Sequence, residues 1–460
     1  MIRRRDFVSG TAVAGAASAG SLLSANSLYA GAAEREPIGQ RTQLDEGLLG
    51  QIAGDLALMS QLDHLQTGSQ GDIALAHHLE QALTAAGFAT MRQQVTAPLA
   101  QVDQANLSWR RNGADHTAAL WPQRPLHFTA SDGVSGPLVI WRTAEVPVTA
   151  ITIPPGAIVL AVLPYERHSQ LIRALPLASL QALAAAGAAA VVLITDGPTG
   201  AAIALNCPQD TSQFPRLPLA TLGPAAARPL LAHAQTGGQA HMILSGQVRT
   251  GESYNLWGRR GPKGGPLVIV STPRTGWTAA LAERGPGIAS FHAMMKWAPA
   301  RFPDHEFLFL STAAHEYDNA GSARFLTDLA PSPDQVRLWL HLGAGFAARD
   351  FHELGEYRLL PLPTPDPQRF LVASEALVPA LRKAFVSEPG LGRVYPASAG
   401  AVGELNEIIA AGYPSVMGLL GGHRFHHVTD DRIDKTDPAF IAAVVAALQA
   451  ALPALLAGSL

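Results

Sequence analysis

The sequence predicts an α/β protein with a mostly parallel central sheet and flanking helices, and three observations carry that expectation. Beyond Gly251, apolar runs at Pro266–Ser271, Glu306–Ser311, Val336–Leu342 and Pro414–Leu419 read as strands. They alternate with helical patterns at Gly287–Trp297, Ala320–Leu329, Glu375–Val386 and Pro438–Leu456. Strands that are apolar on both faces are the kind that crossover helices cover in a parallel sheet. The opening segment is helical: Leu48, Leu49, Ile52 and Leu56, then Ile73, Ala76, Leu79 and Leu83, recur at spacings of three and four. Polar clusters follow the strands, at residues 273–284, at His315-Glu316, at His341 and at residues 423–437. Ligands of parallel sheets gather at the carboxyl ends of the strands, so these clusters mark the expected site.

Taken in order, Ser69 or Asp72 is positioned to cap the second helix by accepting from its free N–H groups, and Gly87 suits the left-handed turn that ends it. Ala89–Val95 then reads as a strand. From residue 98 to 249 the texture changes to short strands such as Pro137–Trp141 and Ala157–Leu163, broken by Pro and Gly, with an alanine-rich helix near Ser179–Ala186. This predicts a small inserted α/β or barrel-like unit, itself without candidate chemistry, inside a main domain made of residues 40–97 and 250–460. The apolar run Ala439–Leu456 carries Gln449 and Pro453 and reads as a packed helix, not a membrane span.

The first 32 residues read as a signal peptide of twin-arginine type. Arg4-Arg5-Asp6-Phe7-Val8 supplies a basic start, a weakly apolar run follows, and Ala30-Gly31-Ala32 provides small residues for cleavage. Thr11, Gly15, Ser18, Gly20 and Ser21 make the run too polar for a stable span, so an exported, periplasmic or secreted protein is expected. Charged residues amount to 15% and the net charge is −3, which gives nucleic acid no basic surface to bind. One cysteine, Cys207, excludes an internal disulfide and a cysteine metal cage. The expected partner is a peptide or a small-molecule ligand.

Several stretches resemble the M28 zinc aminopeptidases and carboxypeptidases, a family often built with a protease-associated insert. They are Thr67-Gly68-Ser69 with Ala86-Gly87-Phe88, the insert around Gly156–Asp196, Asn255-Leu256 before a strand, and Glu316 followed by Gly321-Ser322. The last are Ala411-Gly412-Tyr413-Pro414 and His427-Val428-Thr429-Asp430-Asp431-Arg432-Ile433-Asp434. The resemblance implies a two-metal hydrolase site, and its ligand set is only partly present. The first histidine and aspartate positions fall on Pro273 and Thr275, the bridging carboxylate on Glu283, the glutamate pair on His315-Glu316, a further aspartate near His341, and the last histidine on His427.

The ligands so implied for one zinc are Glu283, Glu316 and His427, with His315 in the general-base position. Two carboxylates and an imidazole leave an open position for water, as at a catalytic zinc. Arg274 and Arg284 flank the lost positions. Either they form a fork for a substrate carboxylate, or one of them neutralises Glu283 in a buried ion pair. His341 and Glu404 complete the candidate pocket. Three functions follow: a one-zinc peptidase-type hydrolase, a non-catalytic binder of peptides or small ligands in the old cleft, and a scaffold acting through the insert.

Overall fold

A computed structural model describes residues 45–457 apart from position 168. The twin-arginine segment lies outside the described residues. Strands Val416–Gly421, Val336–Leu342, Leu267–Pro273 and Glu306–Thr312 lie side by side and parallel at the centre of a mixed sheet. Their residues are almost all buried on both faces, which is why they read as unbroken apolar runs. Arg369–Ala373 closes one flank antiparallel, and Gln239–Arg260 closes the other.

The long strand Gln239–Arg260 joins two regions. Its last residues pair with Glu306–Thr312, and its first pair with Val134–Arg142. From there Ile158–Tyr165, Ala190–Asp196 and Leu219–Leu222 continue the order in parallel register. Separate apolar clusters cover the two faces of this second set, one around Val159, Leu183 and Leu193, the other around Leu160, Val192 and Leu230. The described residues nonetheless form one compact unit.

Helices Glu46–Ser60, Gln70–Ala85, Leu281–Arg301 and Pro438–Ala457 contribute to the main core against the central strands. Pro438–Ala457 is long and apolar enough, by length and composition, to cross a membrane. Ile441, Val444, Val445, Leu448 and Leu452 are buried within this core. Helix Leu281–Arg301 packs close to the strand ends: a Cβ on Gly287 would stand 2.5 Å from Thr272 Oγ1, so only glycine fits there.

The predicted helices and strands of the second half all exist, with ends moved by a few residues. Helix Leu281–Arg301 starts six residues before the expected Gly287, because Glu283, Arg284, Gly285 and Pro286 interrupt the apolar period in its opening turns. The strand expected over Ala89–Val95 runs to Arg111. Pro98 looks like a breaker, but this stretch of strand pairs with Gln239–Arg260 alone, and an edge position tolerates a missing N–H. Helices Pro224–Ala234 and Glu404–Ala410 were not expected.

Ser69 caps helix Gln70–Ala85 by accepting from the Asp72 N–H, and Gly87 takes a positive φ of 79° after it, both as the sequence suggests. Asp72 adds what the sequence did not reveal. Its carboxylate accepts from the Gly68 N–H and from Arg274 Nε at 2.8 Å, with both ionic side chains fully buried. Arg274 also donates to the Ser311 carbonyl, Ser253 Oγ and the Tyr254 carbonyl. The guanidinium therefore ties helix Gln70–Ala85 to the end of strand Glu306–Thr312 and to the second half of strand Gln239–Arg260. Truncating one member of a buried pair strands the other charge, so Arg274→Met is expected to lower unfolding free energy by roughly 3–5 kcal/mol, with Asp72→Asn/Arg274→Met recovering part of the loss. Urea titrations of the three proteins measure it.

Candidate functional site

Helix Leu281–Arg301 begins under an unusual cap. Ala280 adopts a left-handed conformation, and the cap is supplied from far along the chain by Asp431, whose two oxygens accept from the Ala282 and Glu283 N–H groups at 2.7 and 3.1 Å. A carboxylate at a helix N-terminus satisfies free donors and meets the positive end of the helix dipole. Burial pushes the Asp431 carboxyl well above its usual range, against the pull of those two donors. The loop carrying Asp431 also carries His423, His426 and His427, so the cap fixes these imidazoles against Glu283 and Arg284 in the first helical turn.

Glu283 Oε1 lies 3.4 Å from His427 Nε2 and 3.9 Å from His426 Nδ1. His427 Nδ1 donates to the Ala204 carbonyl at 2.9 Å, which fixes the ring so that Nε2 faces the Glu283 carboxylate. His426 Nε2 faces Ser169 Oγ at 3.3 Å, leaving Nδ1 without a hydrogen-bond partner. Glu283 Oε1 and His423 Nε2 also lack one. Buried polar atoms without partners are rare, and here three of them gather in one place.

Charge states match this arrangement. Burial alone would raise the Glu283 pKa, but Arg284, then His427 and His426, hold the carboxyl well below its usual range. Burial, followed by the neighbouring His427, keeps His426 well below the usual imidazole value, and burial brings His423 to about 4. Ionised carboxylate and neutral imidazole are the forms that bind metal. Glu283, His426 and His427 offer atoms that all lie within 4.8 Å of one another. The 3.4 and 3.9 Å separations approach the ~3.3 Å between two ligands each about 2.0–2.1 Å from a tetrahedral zinc. The donor set therefore fits such an ion.

Arg284 stands beside this group. Its Nη2 is 2.9 Å from Glu283 Oε1, its Nε donates to the Thr275 carbonyl, and its Nη1 is buried without a partner. Of the two possibilities open for the arginines, Arg284 forms the ion pair with Glu283. Arg274 is engaged with Asp72, and its side chain is 0% exposed.

The structure does not bring Glu316 into the Glu283 group. Glu316 Oε1 accepts from the N–H and hydroxyl of Thr67, and Oε2 from the Thr275 hydroxyl at 2.7 Å. The carboxylate is saturated by three donors. Thr275, at the place of a lost aspartate, joins the two halves of the site: its hydroxyl also accepts from the His315 N–H, and its carbonyl holds Arg284.

His315 and Glu404 form a second polar group. Glu404 accepts from Thr312 Oγ1 at 2.7 Å and lies 3.2 Å from His315 Nδ1. Burial opposes its ionisation, but the His315 bond and charge, His341 and Thr312 outweigh it and hold the carboxyl below its usual value. An ionised Glu404 only accepts, so His315 Nδ1 donates to it. The side chain is 13% exposed, and with His426 at 15% it provides the site's solvent-facing imidazoles. His341 contacts the Ser271 hydroxyl at 3.0 Å, and burial lowers its pKa to about 4, so it is a neutral wall of the pocket.

Backbone strain marks the same region. Ala280, Ala314 and His427 all have positive φ, and each adjoins or is a residue of the site. Such conformations persist only where surrounding contacts enforce them, and they concentrate at functional sites.

No protein-family model and no curated protein matches the chain in sequence. Solved structures match its fold. A peptidase M28 precursor from Shewanella amazonensis is 17% identical, with a TM-score of 0.68 over 90% of this chain and 96% of that one. BSAP, a zinc aminopeptidase from Bacillus subtilis, is 15% identical, with a TM-score of 0.64 over 88% and 93%. An aminopeptidase from Aneurinibacillus is also 15% identical, with a TM-score of 0.60 over the same shares. The chain has an M28-like peptidase fold.

Two contributors to the candidate site escaped the sequence. His426 was noted only as a neighbour of His427, because which of two adjacent histidines faces inward depends on a left-handed turn. Residues 98–249 seemed free of chemistry, yet Ala204 accepts from His427 Nδ1, Ser169 Oγ contacts His426 Nε2, and Asn206 accepts from Trp277 Nε1. No local signal reveals such a buttress.

Close to this group, burial and the charges of Glu404 and Asp318 push Glu407 up to about 7, against the Asn319 bond. A carboxyl with a raised folded-state pKa binds its proton more tightly folded than unfolded. Its ionisation therefore costs stability as pH rises from about 4.5 to about 7, and no further above that. Glu407→Gln should match the parent below pH 4.5 and become increasingly more stable than it up to neutrality, as read by urea unfolding across pH.

Proposed function

We propose that the protein is an exported peptidase-type hydrolase that uses one zinc ion held by Glu283, His426 and His427, with Arg284 in place of a second metal. The observation that carries this reading is the convergence of donor atoms: with Ala204 accepting from His427 Nδ1, Nε2 faces Glu283 Oε1 at 3.4 Å, and His426 Nδ1 lies 3.9 Å from the same oxygen. A cation bound among these three atoms would satisfy them together, beside the Arg284 guanidinium that already pairs with Oε1. Zinc bound there would supply Lewis-acid polarisation of a carbonyl and activation of water.

The chain's own residues supply the rest. His315, oriented by Glu404, presents Nε2 toward the site in the role of a general base. Arg284 Nη1, buried and unpaired, donates to the oxygen on which negative charge grows, as the second cation of a two-metal clamp does. Thr275 links His315 to Arg284 and keeps base and cation in register. Residues 98–249 serve as a protease-associated insert that braces the ligand loop. His341 closes the pocket, and a peptide or small amide is the substrate class. The twin-arginine sequence supports export to the periplasm or medium.

The Arg284–Glu283 pair favours a second reading, a metal-free cleft that binds peptide or carboxylate ligands without turnover. Metal analysis and aminoacyl-anilide hydrolysis separate the two. The hydrolase reading expects one equivalent of zinc at this group, which Glu283→Gln and His427→Ala each remove together with activity. His315→Ala keeps the metal and lowers kcat roughly 10²–10⁴-fold. Failure of Glu283→Gln to remove any zinc, or undiminished hydrolysis after chelation, would overturn it.

A further inference from the structure

We propose a second divalent-metal site, away from the candidate active site, formed by Asp55, His78 and His292 on three packed helices. Asp55 lies in Glu46–Ser60, His78 in Gln70–Ala85 and His292 in Leu281–Arg301. Both imidazoles aim at the same carboxylate oxygen: His78 Nε2 and His292 Nδ1 each lie 2.9 Å from Asp55 Oδ1. Their rings meet edge to face, 5.7 Å apart at 81°, so the two nitrogens and the oxygen converge on one point. All three ligand atoms lie within 4.8 Å of one another.

The remaining features are those of a metal's surroundings. Gln51 Nε2 donates to Asp55 Oδ2 at 2.8 Å and reaches the Ala289 carbonyl, which orients the carboxylate; His292 Nδ1 lies 3.0 Å from Oδ2 as well, while His78 faces Oδ1 alone. Asp55 and His292 are almost fully buried, while the His78 side chain is 26% exposed and gives an ion a way in. Two imidazoles and one carboxylate suit zinc or another late first-row cation, with the fourth position open toward solvent on the His78 side.

The position gives such an ion a structural role. It would cross-link the first two described helices to the helix whose opening turn carries Glu283 and Arg284. His292 lies nine residues beyond Glu283, about 13 Å along the helix axis, so the two metal groups occupy opposite parts of one rod. An ion bound only by the folded chain stabilises it by mass action.

Cobalt(II) and zinc binding to the Glu283→Gln/His427→Ala protein test the proposal with the active-site group disabled. One equivalent of cobalt with visible d–d bands, and a melting temperature raised by zinc, are expected. His78→Gln at the half-exposed ligand should remove both effects while leaving hydrolysis by the otherwise native protein unchanged. His78→Cys should restore cobalt binding with a near-ultraviolet thiolate charge-transfer band, which only direct ligation produces. No cobalt uptake by the double variant, uptake indifferent to His78→Gln, or a His78→Cys protein without the band would overturn it.

Discussion

The site depends on one hydrogen-bonded cap. Asp431 reaches back across 148 residues to the N-terminus of helix Leu281–Arg301 and accepts from Ala282 and Glu283. Without it, the first turn would expose unpaired donors inside the protein, and the histidine loop would have no fixed relation to Glu283. A side chain at sequence position 431 thereby sets the distance between a carboxylate at 283 and imidazoles at 426 and 427. The resemblance to M28 peptidases singles out the histidine and the aspartate four residues later. The cap gives that spacing a physical reason.

Around this cap, charge has been redistributed. Pro273 and Thr275 occupy positions where metal ligands are implied, Thr275 and Thr67 saturate Glu316, and Arg284 brings a fixed positive charge to Glu283. The result is ordered throughout: Thr275 alone contacts Glu316, His315 and Arg284. Arg274 belongs to another layer, bound to Asp72 where it joins helix to strands. Hydroxyls and a guanidinium thus make a continuous polar network through the pocket.

Much of the fold was legible because it rests on periodicity. Val336–Leu342 and the helix from Pro438 could be read nearly to the residue, since both are continuous apolar signals flanked by breaks. The strand ends also pointed to the right place for polar clusters. Of the candidate site residues, Glu283 and His427, far apart in the chain, are brought within 3.4 Å of each other. The site was opaque where roles are set by distant contacts: Arg274 reads as a cleft residue until Asp72 is seen, Glu316 as a ligand until Thr67 is seen, and His426 as a bystander until the left-handed His427 turn is seen. The bracing by Ser169 and Ala204 has no sequence signature at all.

The central claim is a single cation between Glu283, His426 and His427, with the Arg284 guanidinium at its side. Anomalous diffraction from crystals of the zinc-loaded protein, recorded on both sides of the zinc absorption edge, addresses it directly. The account predicts a zinc peak bound by Glu283 Oε1, His426 Nδ1 and His427 Nε2, with Glu316 still held by Thr67 and Thr275. A map with no anomalous density in that group, or with zinc bound by Glu316, would contradict it.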